Sequence, residues 1–366
     1  MYAAPDPDEI EVSVFGPSYG ECILLHLGEN NWLVVDSCLD PDSQEPVPLV
    51  YLRRIGVDPA QAVKQVIATH WHDDHIGGLG QVVEACTSAE FVCSDALKTE
   101  EFLTLVQAVH PHAMMRRSGV REFHTVLMSL AGRGARRLAP KFAIADRMLW
   151  QSGRCSVCAL SPSDAAVLLA RREIADRLTN QTGTKKGLVA PSPNHNSVVL
   201  WIAVGEVSIL LGADLEETGN PGTGWSEVAH SRYHPSQKAS LFKIPHHGSS
   251  SADNPQVWTD LLEPNPFAAL TPWTLGGAFL PTRRDVDRIC SRTDRAYATA
   301  TNRQPGSRRR ARGVERTISE IGATLRPVPY SRGHVRFRTQ SLGVPTEWQV
   351  DLFEGAVPLR QVYLSR

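Results

Sequence analysis

Residues 69–75 read Thr69-His70-Trp71-His72-Asp73-Asp74-His75, and the reading of this heptad decides the fold. It follows Val63 to Thr69 (VKQVIAT), an apolar, β-branched run that reads as a strand. Ile76-Gly77-Gly78-Leu79-Gly80 comes next and leads into GQVVEACTSA, which reads as a helix. Two histidines two apart at a strand end project to the same side, where His70 and His72 can share one ion. Asp74 and His75, one turn further on, can reach a second ion. A merely solubilising polar cluster would need neither the apolar Trp71 nor the glycines after the motif.

Upstream, Glu9 to Phe15 (EIEVSVF), Cys22 to Leu27 (CILLHL) and Trp32 to Val35 (WLVV) read as a meander of adjacent strands, separated by Gly16-Pro17 and the Glu29-Asn30-Asn31 turn. Downstream, the stretch from about 95 to 190 changes character. TEEFLTLVQAVH and SPSDAAVLLARREIADRL have helical periodicity, Arg133 to Arg137 is a basic turn, and TNQTGTKKG reads as a loop, which together predict an inserted, mainly helical region. Strands return at Ser197 to Ala203 and Val207 to Leu211, a hairpin turning at Val204-Gly205-Glu206, then at Leu241 to Ile244 and Phe267 to Leu270. Arg308, Arg309, Arg310, Arg312 and Arg316 cluster near the end, before HVRFRTQ and EWQVDLFE, which read as a last strand pair.

The bulk numbers bound the class. At 366 residues, 42% hydrophobic and 21% charged, the chain can bury a large core. No apolar run approaches the roughly 18 residues needed to cross a bilayer, and MYAAPDPDEIEVSVF lacks the pattern of a secretory signal, so the expected location is the cytoplasm, with no membrane partner. A net charge of -1 excludes a polycationic nucleic-acid binder, although Arg far outnumbers Lys. The seven cysteines, at 22, 38, 86, 93, 155, 158 and 290, are odd in number and scattered, which argues against a disulfide framework. Cys155-Ser156-Val157-Cys158 has CxxC spacing but alternates like a strand and has no second pair, so it reads as structural.

The heptad fits His-x-His-x-Asp-His and resembles the metallo-β-lactamase superfamily. WLVVDS places Asp36 where that family has an early supporting aspartate, and ILLGADLE places Asp214 where it has a carboxylate bridging two metals. Lys243 to Ser250, KIPHHGSS, occupies the place of the last metal histidine. The resemblance spans roughly residues 9 to 275. Within it, NHNSVVL, LLGADLE and LFKIPHHGSS look like the ComEC-type branch, the hydrolase domain of bacterial DNA-uptake proteins without its membrane channel, and like phosphorylcholine esterases. The implied fold is α/β, an αββα sandwich over residues 1–302 with the helical insertion at 95–190. Residues 303–366 would be a basic C-terminal extension, an Arg-rich loop and strands packed on the same domain.

The resemblance implies two divalent ions, zinc first and manganese second, sharing a water whose pKa falls toward neutrality. His70 and His72 would hold one ion, Asp74, His75 and His247 the other, and Asp214 would bridge them. His247 is the better match to the ligand, which leaves His246 to face substrate and to donate to a phosphoryl or leaving-group oxygen; a bend of one residue would exchange the two. Where many members place a third histidine, Asn194-His195-Asn196-Ser197 stands, and His195 is either that ligand or a loop residue beside a structural Asn196-Ser197.

The expected function is therefore a dinuclear metal-dependent hydrolase, a phosphodiesterase or nuclease with Asp74 and His246 in its catalytic site. Its partner would be a phosphate ester, including nucleic acid, whose backbone the Arg-rich segments at 133–137 and 303–316 would track. Two other readings stay open. One is hydrolysis of a carboxylic ester, lactone or thioester; the other is a hydrolase-like subunit of a prokaryotic defence or DNA-processing assembly.

Overall fold

A computed structural model of the chain describes residues 2–16, 20–98, 119–133, 139–179, 193–220, 222–231, 237–275, 278–301, 332–340 and 347–363. The expected helix at 99–110, the loop at 180–187, most of the 133–137 turn and the Arg-rich run at 303–316 lie outside the described residues.

Two eight-stranded sheets dominate. The first begins with β1 (Glu9–Phe15), β2 (Cys22–Leu27) and β3 (Trp32–Val35) and continues through β4 (Val63–Ile67), β5 (Glu90–Ser94) and β6 (Lys141–Ala143). The second takes β7 (Arg147–Ser152), β8 (Cys155–Ala159), β9 (Leu200–Val204), β10 (Val207–Leu211), β11 (Ala239–Lys243) and β12 (Leu262–Leu270). A small pair, β13 (Trp273–Leu275) and β14 (Ala278–Leu280), stands apart, and β15 (Ala296–Ala298) joins β12. The C-terminal strands complete both sheets: β16 (Gly333–Gln340) pairs with β1 and with β17 (Gln349–Glu354), and β18 (Val357–Pro358) pairs with β15.

Strand alternation explains the layering. Ile10, Val12 and Val14 of β1 face Ile202, Ile209, Leu241 and Phe267 in one core between the sheets. Leu24, Val34, Val66 and Phe91 on the other face of the first sheet pack on Tyr51, Leu52, Val82, Val83, Phe123 and Val126 from helices Val47–Arg54, Leu79–Ala85 and Gly119–Gly132. Trp201, Leu210 and Phe242 on the far face of the second sheet pack on Trp225, Val286 and Ile289 from helices Gly224–Ala229 and Arg283–Cys290. The order is helix, sheet, sheet, helix, the αββα sandwich. Both faces of each sheet are covered, which is why the strands read as nearly continuous apolar runs. Each fully buried Val, Leu, Ile or Phe contributes roughly 1.5–3 kcal/mol.

Coverage also buries what alternation alone would expose. Glu11, on the helix-facing side of β1, is fully buried, and its carboxylate accepts from Tyr51 Oη and Ser13 Oγ at 2.7 Å each and from Arg338 at 2.9 and 2.7 Å. A buried carboxylate without such partners would be costly.

The described residues of 95–190, expected as a mainly helical insertion, are helical for the most part but also carry strands. Helices Gly119–Gly132 and Asp164–Thr179 lie there, but so do β6, β7 and β8, which are members of the two large sheets. The reason is positional: β7 is the outermost strand of its sheet and mostly solvent-facing, so Arg147–Ser152 carries too little apolar alternation to announce itself. The hairpin at Val204-Gly205-Glu206 forms as expected, with Val204 opposite Val207 and Gly205 at φ +58°. All seven cysteines are free thiols. Among the described residues no helix is long and apolar enough to cross a membrane.

Candidate metal centre

In each sheet the parallel strands end at the same place. β3 and β4 run parallel and deliver Asp36 and then His70 to His75, while parallel β10, β11 and β12 deliver Asp214, His246-His247 and Thr271. Carboxyl ends of parallel strands are where such sheets bind ligands. The loops are held in unfavourable backbone conformations: Asp36, Ala213, His246 and His247 have φ of +60°, +45°, +46° and +53°. None is glycine, and such residues cost roughly 1–3 kcal/mol each unless the surroundings compel them. Gly212 lets the chain pass tightly here, since a Cβ on it would stand 2.9 Å from Lys243 O.

His70, His72, Asp74, His75, Asp214 and His247 come together in one cluster. His75 Nε2 and His247 Nε2 each stand 3.4 Å from Asp214 Oδ2, His70 Nε2 is 3.9 Å from the same oxygen, and His247 Nε2 is 3.5 Å from Asp74 Oδ2. His70 Nε2 and His72 Nδ1 are 3.2 Å apart. Two donors held about 2.0–2.1 Å from one ion in tetrahedral geometry stand about 3.3–3.4 Å apart, so these separations suit the edges of a coordination shell. His75 Nε2 and Asp214 Oδ1 are buried without a hydrogen-bond partner among the described residues, as ligand atoms would be. The donor set of imidazoles and carboxylates fits a divalent ion of the zinc or manganese kind.

The outer contacts fix which nitrogen points inward. His75 Nδ1 donates to Asp36 Oδ2 at 2.8 Å, and His247 Nδ1 donates to Thr271 O at 2.9 Å. Asp36 in turn accepts from Thr69 N and Thr69 Oγ1 at 2.7 Å each. Asp36, His70 and His75 also lie close enough to form a ligand set of their own. With both its oxygens already engaged, Asp36 acts as the support of His75, an arrangement common around metal-bound histidines.

Charge follows the same map. Burial alone would lower the pKa of His75, but Asp214 and then Asp36 outweigh it and hold the imidazole well above its usual range. His247 behaves likewise, its burial overcome by Asp214 and Asp74, and is pushed up to about 10. Burial works against the Asp74 and Asp214 carboxylates, yet His247 and His75 hold both well below the ordinary range. His70 is pushed well down by burial and by the neighbouring His75. Without ions, then, two cationic imidazoles balance two buried carboxylates, a role divalent ions would take over.

The doublet divides. His247 is buried in the cluster, whereas His246 is partly exposed at its rim, with Nδ1 3.2 Å from Ser251 Oγ and 3.5 Å from Glu216 Oε1. His195 lies in the short turn Pro193–Asn196 and is half-buried; the neighbour that reaches the rim is Asn194, whose Nδ2 donates to Glu216 Oε1 at 2.7 Å. Glu216, Asn194 and Thr69 were not among the residues singled out from the sequence. All three stand inside quoted stretches, Thr69 at the head of the heptad, Asn194 beside His195 and Glu216 two residues after Asp214, but none was given a role there. Beneath the cluster, buried Lys243 Nζ stands 2.5 Å from Glu21 Oε1, tying one sheet to the other, and Glu21 N donates to Asp74 O at 2.8 Å.

Comparison with known proteins matches residues 15–247 to the family model described as the metallo-beta-lactamase superfamily. Among solved structures, the Zn(2+)-bound PqqB of Methylobacterium extorquens aligns at 12% identity and a TM-score of 0.32, over 62% of this chain and 57% of that one. The chain thus spans little more than half the length of that structure. MEM-A1, a subclass B3 metallo-beta-lactamase from a soil metagenome library, aligns at 12% identity and a TM-score of 0.35, covering 68% of this chain and 80% of that one. A metallo-beta-lactamase of Cronobacter sakazakii aligns at 13% identity and a TM-score of 0.28, over 56% of each chain. No curated protein matches the chain in sequence.

Proposed function

The chain belongs to the metallo-beta-lactamase superfamily, whose members are typically metal-dependent hydrolases, and on that premise we propose that it hydrolyses phosphodiesters with a two-ion centre. The observation that carries this reading is the place of Asp214: one carboxylate oxygen lies within 3.4–3.9 Å of His70, His75 and His247, where it can serve two ions at once. Two ions held by these residues would suit in-line displacement at phosphorus. The wording LLGADLE followed by KIPHHGSS, which resembles the ComEC-type branch, supports the same substrate class.

His70 and His72 would hold the first ion and Asp74, His75 and His247 the second. Bound divalent ions, zinc first and manganese second, would supply a water acidified toward neutrality and positive charge for the phosphoryl oxygens. The chain's own residues do the rest. Asp36 keeps the His75 proton on Nδ1, the Thr271 carbonyl does the same for His247, and the αL backbone at 246–247 turns one ring inward and leaves the other at the rim for substrate. The substrate would be a nucleic acid or a smaller phosphate ester, and the same centre would serve a hydrolase subunit of a larger assembly.

The test is incubation of purified, metal-loaded protein with single- and double-stranded DNA, RNA, a cyclic dinucleotide, bis-p-nitrophenyl phosphate, a lactone and a thioester, with Asp74→Ala as control. Metal-dependent cleavage of a phosphodiester, lost in Asp74→Ala, is the expected result. Turnover of the lactone or thioester alone replaces this reading with the acyl-hydrolase one.

A further inference from the structure

We propose that Glu216 is a positioning residue for His246: with Asn194 and Ser251 it holds that imidazole in the tautomer with its proton on Nδ1, presenting Nε2 as a hydrogen-bond acceptor at the rim of the metal centre. The argument starts from Glu216, whose ionised carboxylate can only accept. Asn194 donates to it through Nδ2 at 2.7 Å, which fixes the amide so that its NH2 end faces the rim. That same NH2 group lies 3.4 Å from His246 Nε2 and favours a lone pair there. The ring proton then belongs on Nδ1, where Ser251 Oγ at 3.2 Å can accept it and the Glu216 carboxylate, 3.5 Å away, favours its positive end electrostatically.

The cluster is tied to the metal loops through backbone. His246 N donates to Ala213 O at 3.0 Å, next to Asp214, and Glu217 N donates to Ser251 O at 2.8 Å, so Glu216, His246 and Ser251 move as one unit. Asn194 is nearly buried, and its Oδ1 has no hydrogen-bond partner among the described residues, so the amide is placed for the contacts its nitrogen makes. The contact from Asn194 to Nε2 is long, and a water or a substrate hydroxyl can take it over. An Nε2 acceptor there receives a hydrogen bond from the group beside the scissile ester, in place of the donation to a leaving oxygen expected from the sequence.

The inference rests on the phosphodiesterase reading only for its kinetic arm. The test records 15N-resolved imidazole NMR of the full chain and of Glu216→Ala and Glu216→Gln, with metal content and the kinetics of bis-p-nitrophenyl phosphate alongside. Wild type should show an Nδ1-protonated His246, and Glu216→Ala should lose that pattern. Its kcat should fall roughly 10- to 100-fold, as a misplaced group of this kind costs, with KM and bound metal unchanged. Glu216→Gln, whose amide oxygen still accepts from Asn194, should restore most of both. An Nε2-protonated ring in wild type, an unaltered kcat in Glu216→Ala, or loss of metal from Glu216→Ala overturns the proposal. If wild type cleaves no phosphodiester, the functional reading fails while the NMR arm still decides the tautomer.

Discussion

His75 Nδ1 donates to Asp36 Oδ2 across 2.8 Å, so Nε2 is the nitrogen the ring turns toward Asp214. Replacing Asp36 removes the acceptor that orients this ring. Asp36→Ala should weaken metal binding roughly 10- to 100-fold by chelator competition. It should also destabilise the metal-free protein by about 1–3 kcal/mol for each donor left unpaired, Thr69 N among them, as read from urea unfolding.

The two adjacent histidines should behave differently. His247→Ala should lower metal content, because its Nε2 lies within 3.4–3.5 Å of both Asp214 and Asp74. His246→Ala should keep the metal and lose rate on any substrate the enzyme turns over. Equal loss of metal in both variants would contradict the division seen in the structure.

Protonation of the cluster sets its response to pH. The His247 pKa is raised to about 10, so what its charge contributes to the metal-free fold is fully present below the unfolded value of about 6.5 and is lost as pH rises through about 10. The urea midpoint of metal-free protein should therefore fall between pH 7 and pH 10, more than that of His247→Asn. Ions must displace the same protons, so metal uptake should release protons and tighten from pH 6 to pH 8. A pH-independent affinity would be the wrong outcome for this site.

Lys243 and Glu21 are both buried, and their ion pair links the sheets under the cluster. Lys243→Met leaves the carboxylate uncompensated and should cost about 3–5 kcal/mol in urea unfolding. The double variant Lys243→Met, Glu21→Leu should recover much of that loss. Additive losses would show that the two charges do not depend on each other.

How much of this was legible follows from what each feature depends on. β1, β2 and β3 run over the residues read from the sequence, because sheets covered on both faces leave long apolar runs between turn residues. The cluster was legible because its residues fall at strand ends inside short motifs, THWHDDH, GAD and PHHG. β6, β7 and β8 were absorbed into a helical insertion: β6 and β8 take their places from β5 and β9, about 40 to 50 residues away, and β7 only edges the sheet through its hairpin with β8. The same holds for the support: Thr69 to Asp36 spans 33 residues and Asn194 to Glu216 spans 22, contacts no local pattern encodes.

The central claim is a site for two ions bridged by Asp214, and elemental analysis of metal-loaded protein tests it most directly. About two ions per chain in wild type, falling when Asp214 is replaced by Ala, is the predicted result. Less than one ion per fully folded wild-type chain, or a content unchanged by Asp214→Ala, would contradict it.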